Sequence, residues 1–189
     1  MGAYYQWQLQ KGNKIEVVEP DYLKFLESFY HFNPNTQAVM RFIKDSDTPV
    51  IVNTVCDYDE HKEWLDATMT ISESEVKHLN CGYLVNDKTK TYFSLTKFIE
   101  FKNQLNTEHS YRNWLISPLA LLTRSTPHAQ GGGDFDVDDL EHRMEQFGSL
   151  PEFNADLVGS WANTAIRYTD EPIPDYKDIS QEIACYEKY

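Results

Sequence analysis

Gly82-Tyr83-Leu84-Val85-Asn86-Asp87-Lys88-Thr89-Lys90-Thr91-Tyr92-Phe93-Ser94 carries the clearest hairpin signal in the chain. Strand-forming residues flank a polar, turn-forming centre from Asn86 to Lys90, which predicts an antiparallel hairpin. Working back toward the N-terminus, Val50 to Cys56 opens on the apolar run Val50-Ile51-Val52, as a central strand does. Gln37 to Lys44 reads as its strand partner across Asp45-Ser46-Asp47-Thr48-Pro49. Tyr5, Trp7 and Leu9 alternate with Gln6, Gln8 and Gln10, the period of a half-buried strand. Lys11-Gly12-Asn13 then turns the chain into Ile15 to Val18, giving an opening hairpin. Between these strands, Pro20 suits a first helical position. Tyr22, Phe25, Leu26, Phe29 and Tyr30 follow at helical spacing, and that helix is expected to end near Phe32-Asn33-Pro34. Asp57 to Glu63 reads as a polar connection or a short helix, and Leu65 to Ile71 as a further strand.

Beyond the 82–94 hairpin, Thr96 is the expected cap of a helix running to about Leu105. Trp114 to Leu122 is apolar but interrupted by Pro118, which in a strand belongs at an edge or bulge. Arg124 to Asp134 is a long loop. Val137, Leu140, Met144 and Phe147 share a helical face, with Gly148 as the stop. Leu157 to Tyr168 fits helix and strand equally, and Thr169 to Pro174 is an exposed turn before a short final element. Hairpins with interspersed helices and no alternating strand–helix rhythm predict an α+β fold on a mainly antiparallel sheet with a few packed helices. A chain of 189 residues predicts a single domain, 1–189, with 134–189 as an acidic C-terminal segment packed on it.

Charge divides the chain unevenly. Residues 134–189 hold 14 Asp/Glu and 4 Lys/Arg, whereas residues 1–133 hold 16 and 13, and the formal net charge is −13. A one-sided acidic field repels nucleic acid and attracts basic surfaces or cations. Aromatic residues make up 14% of the chain, which predicts an aromatic-rich core and argues against whole-chain disorder. Residues 1–8 lack the basic and apolar regions of a targeting signal, and Gln6 stands where a myristoylation motif needs Ser or Thr. No apolar run approaches 18 residues, so no membrane span is expected. Cys56, Cys81 and Cys185 are too few and too scattered for a disulfide framework, which fits a reducing cytoplasm.

Several residues invite a chemical reading. Asp134, Asp136, Asp138 and Glu145 fall at positions 1, 3, 5 and 12 of a calcium-loop pattern, but Asp139 stands where the loop needs glycine. Asp136 or Asp138 suits a helix cap, with Asp139 and Glu141 complementing the first turn. The same side chains also suit an acidic docking face. Gly131-Gly132-Gly133 lacks the Lys and Ser/Thr of a phosphate loop, and the next charges are negative. His78 and Cys81 have metal-ligand spacing without a second pair, and the remaining histidines, 31, 61, 109, 128 and 142, form no motif. No catalytic, metal or cofactor site is assigned. Trp161 reads as a core residue or as an aromatic anchor beside an acidic rim.

The stretch Pro118-Leu119-Ala120-Leu121-Leu122-Thr123, with Gly131-Gly132-Gly133-Asp134-Phe135 and Val158-Gly159-Ser160-Trp161-Ala162, resembles small uncharacterised bacterial cytoplasmic proteins. The small, acidic, cysteine-poor profile is similar to that of immunity proteins from bacterial toxin systems. Neither resemblance implies a site residue. The expectation is a cytoplasmic binding protein, an inhibitor or immunity protein that docks a basic protein partner such as a nuclease toxin. Its expected contact residues are Asp134, Asp136, Asp138, Asp139, Glu141, Glu145 and Trp161. Two alternatives stay open: a small enzyme with a pocket at the 124–135 glycine loop, where His128 and Asp134 act as acid and base, and a nucleic-acid-mimicking anti-defence protein.

Overall fold

The structure is a computed structural model that describes residues 5–18, 33–56, 65, 77–105, 114–115, 117–122, 147–149 and 152–187. Strands β1 (Tyr5–Lys11) and β2 (Lys14–Val18) form the expected opening hairpin, with Gly12 at φ +59° in its turn. β3 (Val50–Cys56) is the expected apolar strand. β4 (Tyr83–Asn86) and β5 (Thr91–Ser94) form the hairpin expected at 82–94. The Asn86 side chain accepts the N–H groups of Lys88 and Thr89 at 3.0 and 3.2 Å, which fixes the turn.

These strands join β8 (Ala165–Thr169) and β9 (Lys177–Asp178) in a seven-stranded sheet, ordered β2-β1-β3-β8-β4-β5-β9. Among the described residues, only the β5–β9 pair is parallel. A second sheet has three short strands: β6 (Trp114–Leu115) and β7 (Phe147–Ser149) flank β10 (Cys185–Glu187). With helices α1 (Pro34–Asp45) and α2 (Leu95–Leu105), the fold is α+β on a mainly antiparallel sheet.

Register assigns the two faces of the large sheet. Trp7, Leu9, Val50, Val52, Ile166, Leu84 and Phe93 share one face and are all buried. They form one core with Val39, Met40 and Ile43 of α1, Phe98 and Phe101 of α2, and Leu119 to Leu122. Gln6, Gln8, Asn53, Arg167, Tyr83, Tyr92 and Asp178 lie on the opposite face, where Val55 and Val85 are also buried. Gln6 is fully buried there, and its amide satisfies both the N–H and the C=O of Leu65, each at 3.1 Å.

Four expectations are corrected. Gln37 to Lys44 is helical, within α1. Asn33 caps that helix by accepting the Asn35 N–H at 2.8 Å, Pro34 sits in its first turn, and Val39, Met40 and Ile43 face the core. Helix α2 is capped by Ser94 rather than Thr96, since Ser94 Oγ accepts the Lys97 N–H at 3.3 Å. Pro118 starts a buried 3-10 helix, Pro118–Leu122, instead of interrupting a strand; Ser117 Oγ accepts the Leu119 N–H at 3.2 Å. Phe147 and Gly148 belong to β7, where Gly148 pairs with Tyr186, and not to a helix end. The open stretch 157–168 resolves into turns followed by β8. The helix expected near residues 20–32, the strand beyond Leu65 and the helix expected at 137–146 lie outside the described residues.

Candidate functional site

Asp134, Asp136, Asp138, Asp139, Glu141 and Glu145 lie outside the described residues, as do His128 and the glycine triplet. Trp161 is described and is a core residue, 1% exposed. Its indole N–H donates to Thr91 Oγ1 at 3.0 Å and its backbone N–H to the Leu121 carbonyl at 2.8 Å. Those bonds lock the ring under β5, so it presents no anchor to a partner. His78 and Cys81 are both exposed. Among the described residues no group of three or more His, Cys, Asp or Glu is placed to hold a metal ion. No described helix is long and apolar enough to cross a membrane.

The structure brings together a polar cluster that local sequence did not announce. Register places Arg167, Val85, Tyr92 and Asp178 in one row across β8, β4, β5 and β9. At the hairpin end, Arg167 forks onto Asp87, with Nε to Oδ2 at 2.8 Å and Nη2 to Oδ1 at 3.1 Å. The Tyr176 hydroxyl also donates to Asp87, at 2.9 Å, and accepts from Lys90 Nζ at 2.8 Å. The Lys90 ammonium lies 4.8 Å from the Tyr176 ring centroid. At the other end, Lys97 Nζ donates to Asp178 Oδ2 at 2.6 Å. Asp178 Oδ1 takes both the N–H and the hydroxyl of Ser180. Between the ends, Tyr83 and Tyr92 meet edge to face, with ring centroids 5.4 Å apart.

Electrostatics hold Asp87, Lys90, Tyr92, Lys97, Arg167 and Asp178 in their ordinary charge states. The Arg167 guanidinium beside Asp87 holds that carboxyl below the usual carboxylate range. Burial pushes the Asp178 carboxyl up, but Lys97 and the Ser180 donors together outweigh it and leave it lowered. The Asp178 contact raises Lys97, and the Tyr176 contact raises Lys90. Burial raises the Tyr92 phenol, with Asp178 adding to the effect. Acid–base catalysis at neutral pH wants a group poised near 7. These shifts run away from 7.

A further tyrosine closes the far end of β8. Tyr168 donates its hydroxyl to Asp170 at 2.8 Å and to the Cys81 carbonyl at 3.2 Å, and Lys44 lies 5.0 Å from its ring centroid. Burial and then the Asp170 bond raise this phenol, so it stays protonated. Gly82 beneath it has φ +86°, and a Cβ there would stand 2.0 Å from the Tyr168 hydroxyl. Only glycine leaves room for both the backbone turn and the ring.

Sequence reasoning missed this cluster because its partners are far apart in the chain. Asp87 and Arg167 are 80 residues apart, and Asp87 and Tyr176 are 89 apart. The chain matches no family model, no curated protein and no solved structure.

Proposed function

We propose that this chain is a protein-binding module, most concretely an inhibitor or immunity-type protein, that docks a basic partner through its acidic 134–145 run. The observation that carries the reading is the segregation of charge. Residues 1–133 hold 16 Asp/Glu and 13 Lys/Arg, close to balance, although the whole chain carries −13. Ion pairs among the described residues include Lys11 with Asp47, Lys97 with Asp178, Arg167 with Asp87, and Lys177 with Glu182. The acidic excess is concentrated in the C-terminal stretch of the sequence, with 14 Asp/Glu against 4 Lys/Arg over residues 134–189. Six carboxylates against the single cation Arg143 between residues 134 and 145 set up a field that steers a basic surface and repels nucleic acid. Asp134, Asp136, Asp138, Asp139, Glu141 and Glu145 are the proposed contacts, and Trp161 is not among them.

The test is charge reversal. Immobilised wild type and a variant carrying Asp134→Lys, Asp136→Lys, Asp138→Lys and Asp139→Lys are presented with the same source-cell lysate, and bound proteins are identified by mass spectrometry. The reading expects a basic protein retained by wild type and lost by the variant. Retention of the same protein by both would remove the acidic run from the interface.

A further inference from the structure

The two edges of the large sheet are closed in different ways. At one edge β2 pairs with β1 over five residues, and Val17 and Val18 are 1% and 0% exposed. At the other, β9 is two residues long. Besides the β5–β9 ladder, the segment 176–182 that carries it is tied by backbone bonds from Lys177 N–H to the Lys90 carbonyl and from Ile179 N–H to the Tyr92 carbonyl, both at 3.0 Å, and from Asn154 N–H to the Glu182 carbonyl at 2.7 Å. Side chains add further ties: Tyr176 to Asp87 and Lys90, Asp178 to Lys97, Lys177 to Glu182, and Ser180 Oγ to the Ser94 N–H at 2.7 Å. Ile179, 1% exposed, is the apolar peg among them.

Asp178 sits where these ties converge. One of its oxygens takes the Lys97 ammonium and the other takes Ser180. Ser180 in turn receives the Ser94 N–H, and Ser94 Oγ caps α2 at the Lys97 N–H. One carboxylate thus links the segment to β5 and to the start of α2. The charged and titratable groups facing it are Lys97 from α2 and Tyr92 from β5. Short strands held mainly by exposed polar contacts open locally at lower cost than long ladders over an apolar face.

We infer that residues 176–182 form an electrostatic strap, pinned by Asp178 and held closed at rest by Ile179, that opens as a unit while the rest of the sheet stays folded. Opening bares the outer edge of β5, including the carbonyls of Lys90 and Tyr92, and an uncovered edge is a template for strand pairing. This inference is independent of the acidic-run reading.

Site-resolved amide hydrogen exchange on Asp178→Asn and on Lys97→Gln tests it. Lys97 is 55% exposed at its side chain, so its replacement leaves the core untouched. In both variants the Lys177 and Ile179 amides should exchange on the order of tenfold faster, with β1 and β3 amides unchanged and helical circular dichroism retained. Wild-type rates at Lys177 and Ile179 in both variants would overturn the inference. So would acceleration that spreads equally through β1 and β3.

Discussion

The β2–β1–β3 half of the large sheet and the β4–β5–β9 half share one apolar core but differ in strand length and in how much charge ties them together. In the first, β1 pairs with its neighbours over five and six residues, and Trp7, Leu9, Val50 and Val52 are at most 1% exposed. Its one described ion pair, Lys11–Asp47, lies at the rim, with side chains 36% and 81% exposed. In the second half the strands are four, four and two residues long, and charged and phenolic side chains cross between them. Apolar burial is nearly indifferent to salt and pH, whereas charge networks are not. The two halves should therefore respond to different perturbations.

The largest effect is expected where burial alone acts. Leu9→Ala removes a fully buried side chain from the first half and should cost about 2–5 kcal/mol in urea unfolding, independent of salt. A smaller loss there would mean that the first half is less closely packed than the structure shows. Gly82→Ala comes next, because its φ of +86° and the Tyr168 hydroxyl both oppose a Cβ. A loss of about 1–3 kcal/mol is expected, and part of it should return when Tyr168→Ala is added. No recovery in the double variant would place the strain in the backbone alone.

Asp178→Asn should cost about 1–3 kcal/mol at neutral pH, since a hydrogen-bonded charge loses its partner. The Asp178 carboxyl is lowered in the folded protein. Its contribution is therefore present above its unfolded value, about 3.9, and is lost as pH falls through the folded one. The gap between wild type and variant should hold from neutral pH down to about pH 5 and close in stronger acid. A gap that persisted at the acid end would show that charge is not its source. The smallest effect belongs to Arg167→Gln, on an ion pair with side chains 34% and 46% exposed. There, thermal unfolding should move by about 0.2–1 kcal/mol in dilute salt and by less in concentrated salt.

The same division explains what was legible in the sequence. The β4–β5 and β1–β2 hairpins were readable because each is closed by its own turn, Asn86 to Lys90 and Lys11 to Asn13. Val50 to Cys56 was readable because a central strand announces itself by apolar content. Asn33-Pro34 also carries the cap-and-proline signal that starts α1, which the sequence reading did not use. β8, β9 and β10 could not be read, since a strand of two to five residues is specified by the partner it meets. Gly148 reads as a helix stop by composition and is a strand residue only because Tyr186 pairs with it. The Asp87–Arg167–Tyr176 contacts were invisible for the same reason. Trp161 offered two readings, and only its bond to Thr91 and its burial separate them.

The central functional claim is that the acidic excess is directed at a basic partner, and its most direct test is capture at two ionic strengths. Immobilised protein is incubated with source-cell lysate at about 0.05 M and about 0.5 M salt, where the screening length changes from well above to well below 10 Å. The account predicts one basic protein, enriched at low salt and weakened at high salt. Specific capture of an acidic or neutral protein, equally strong at both salts, would contradict it.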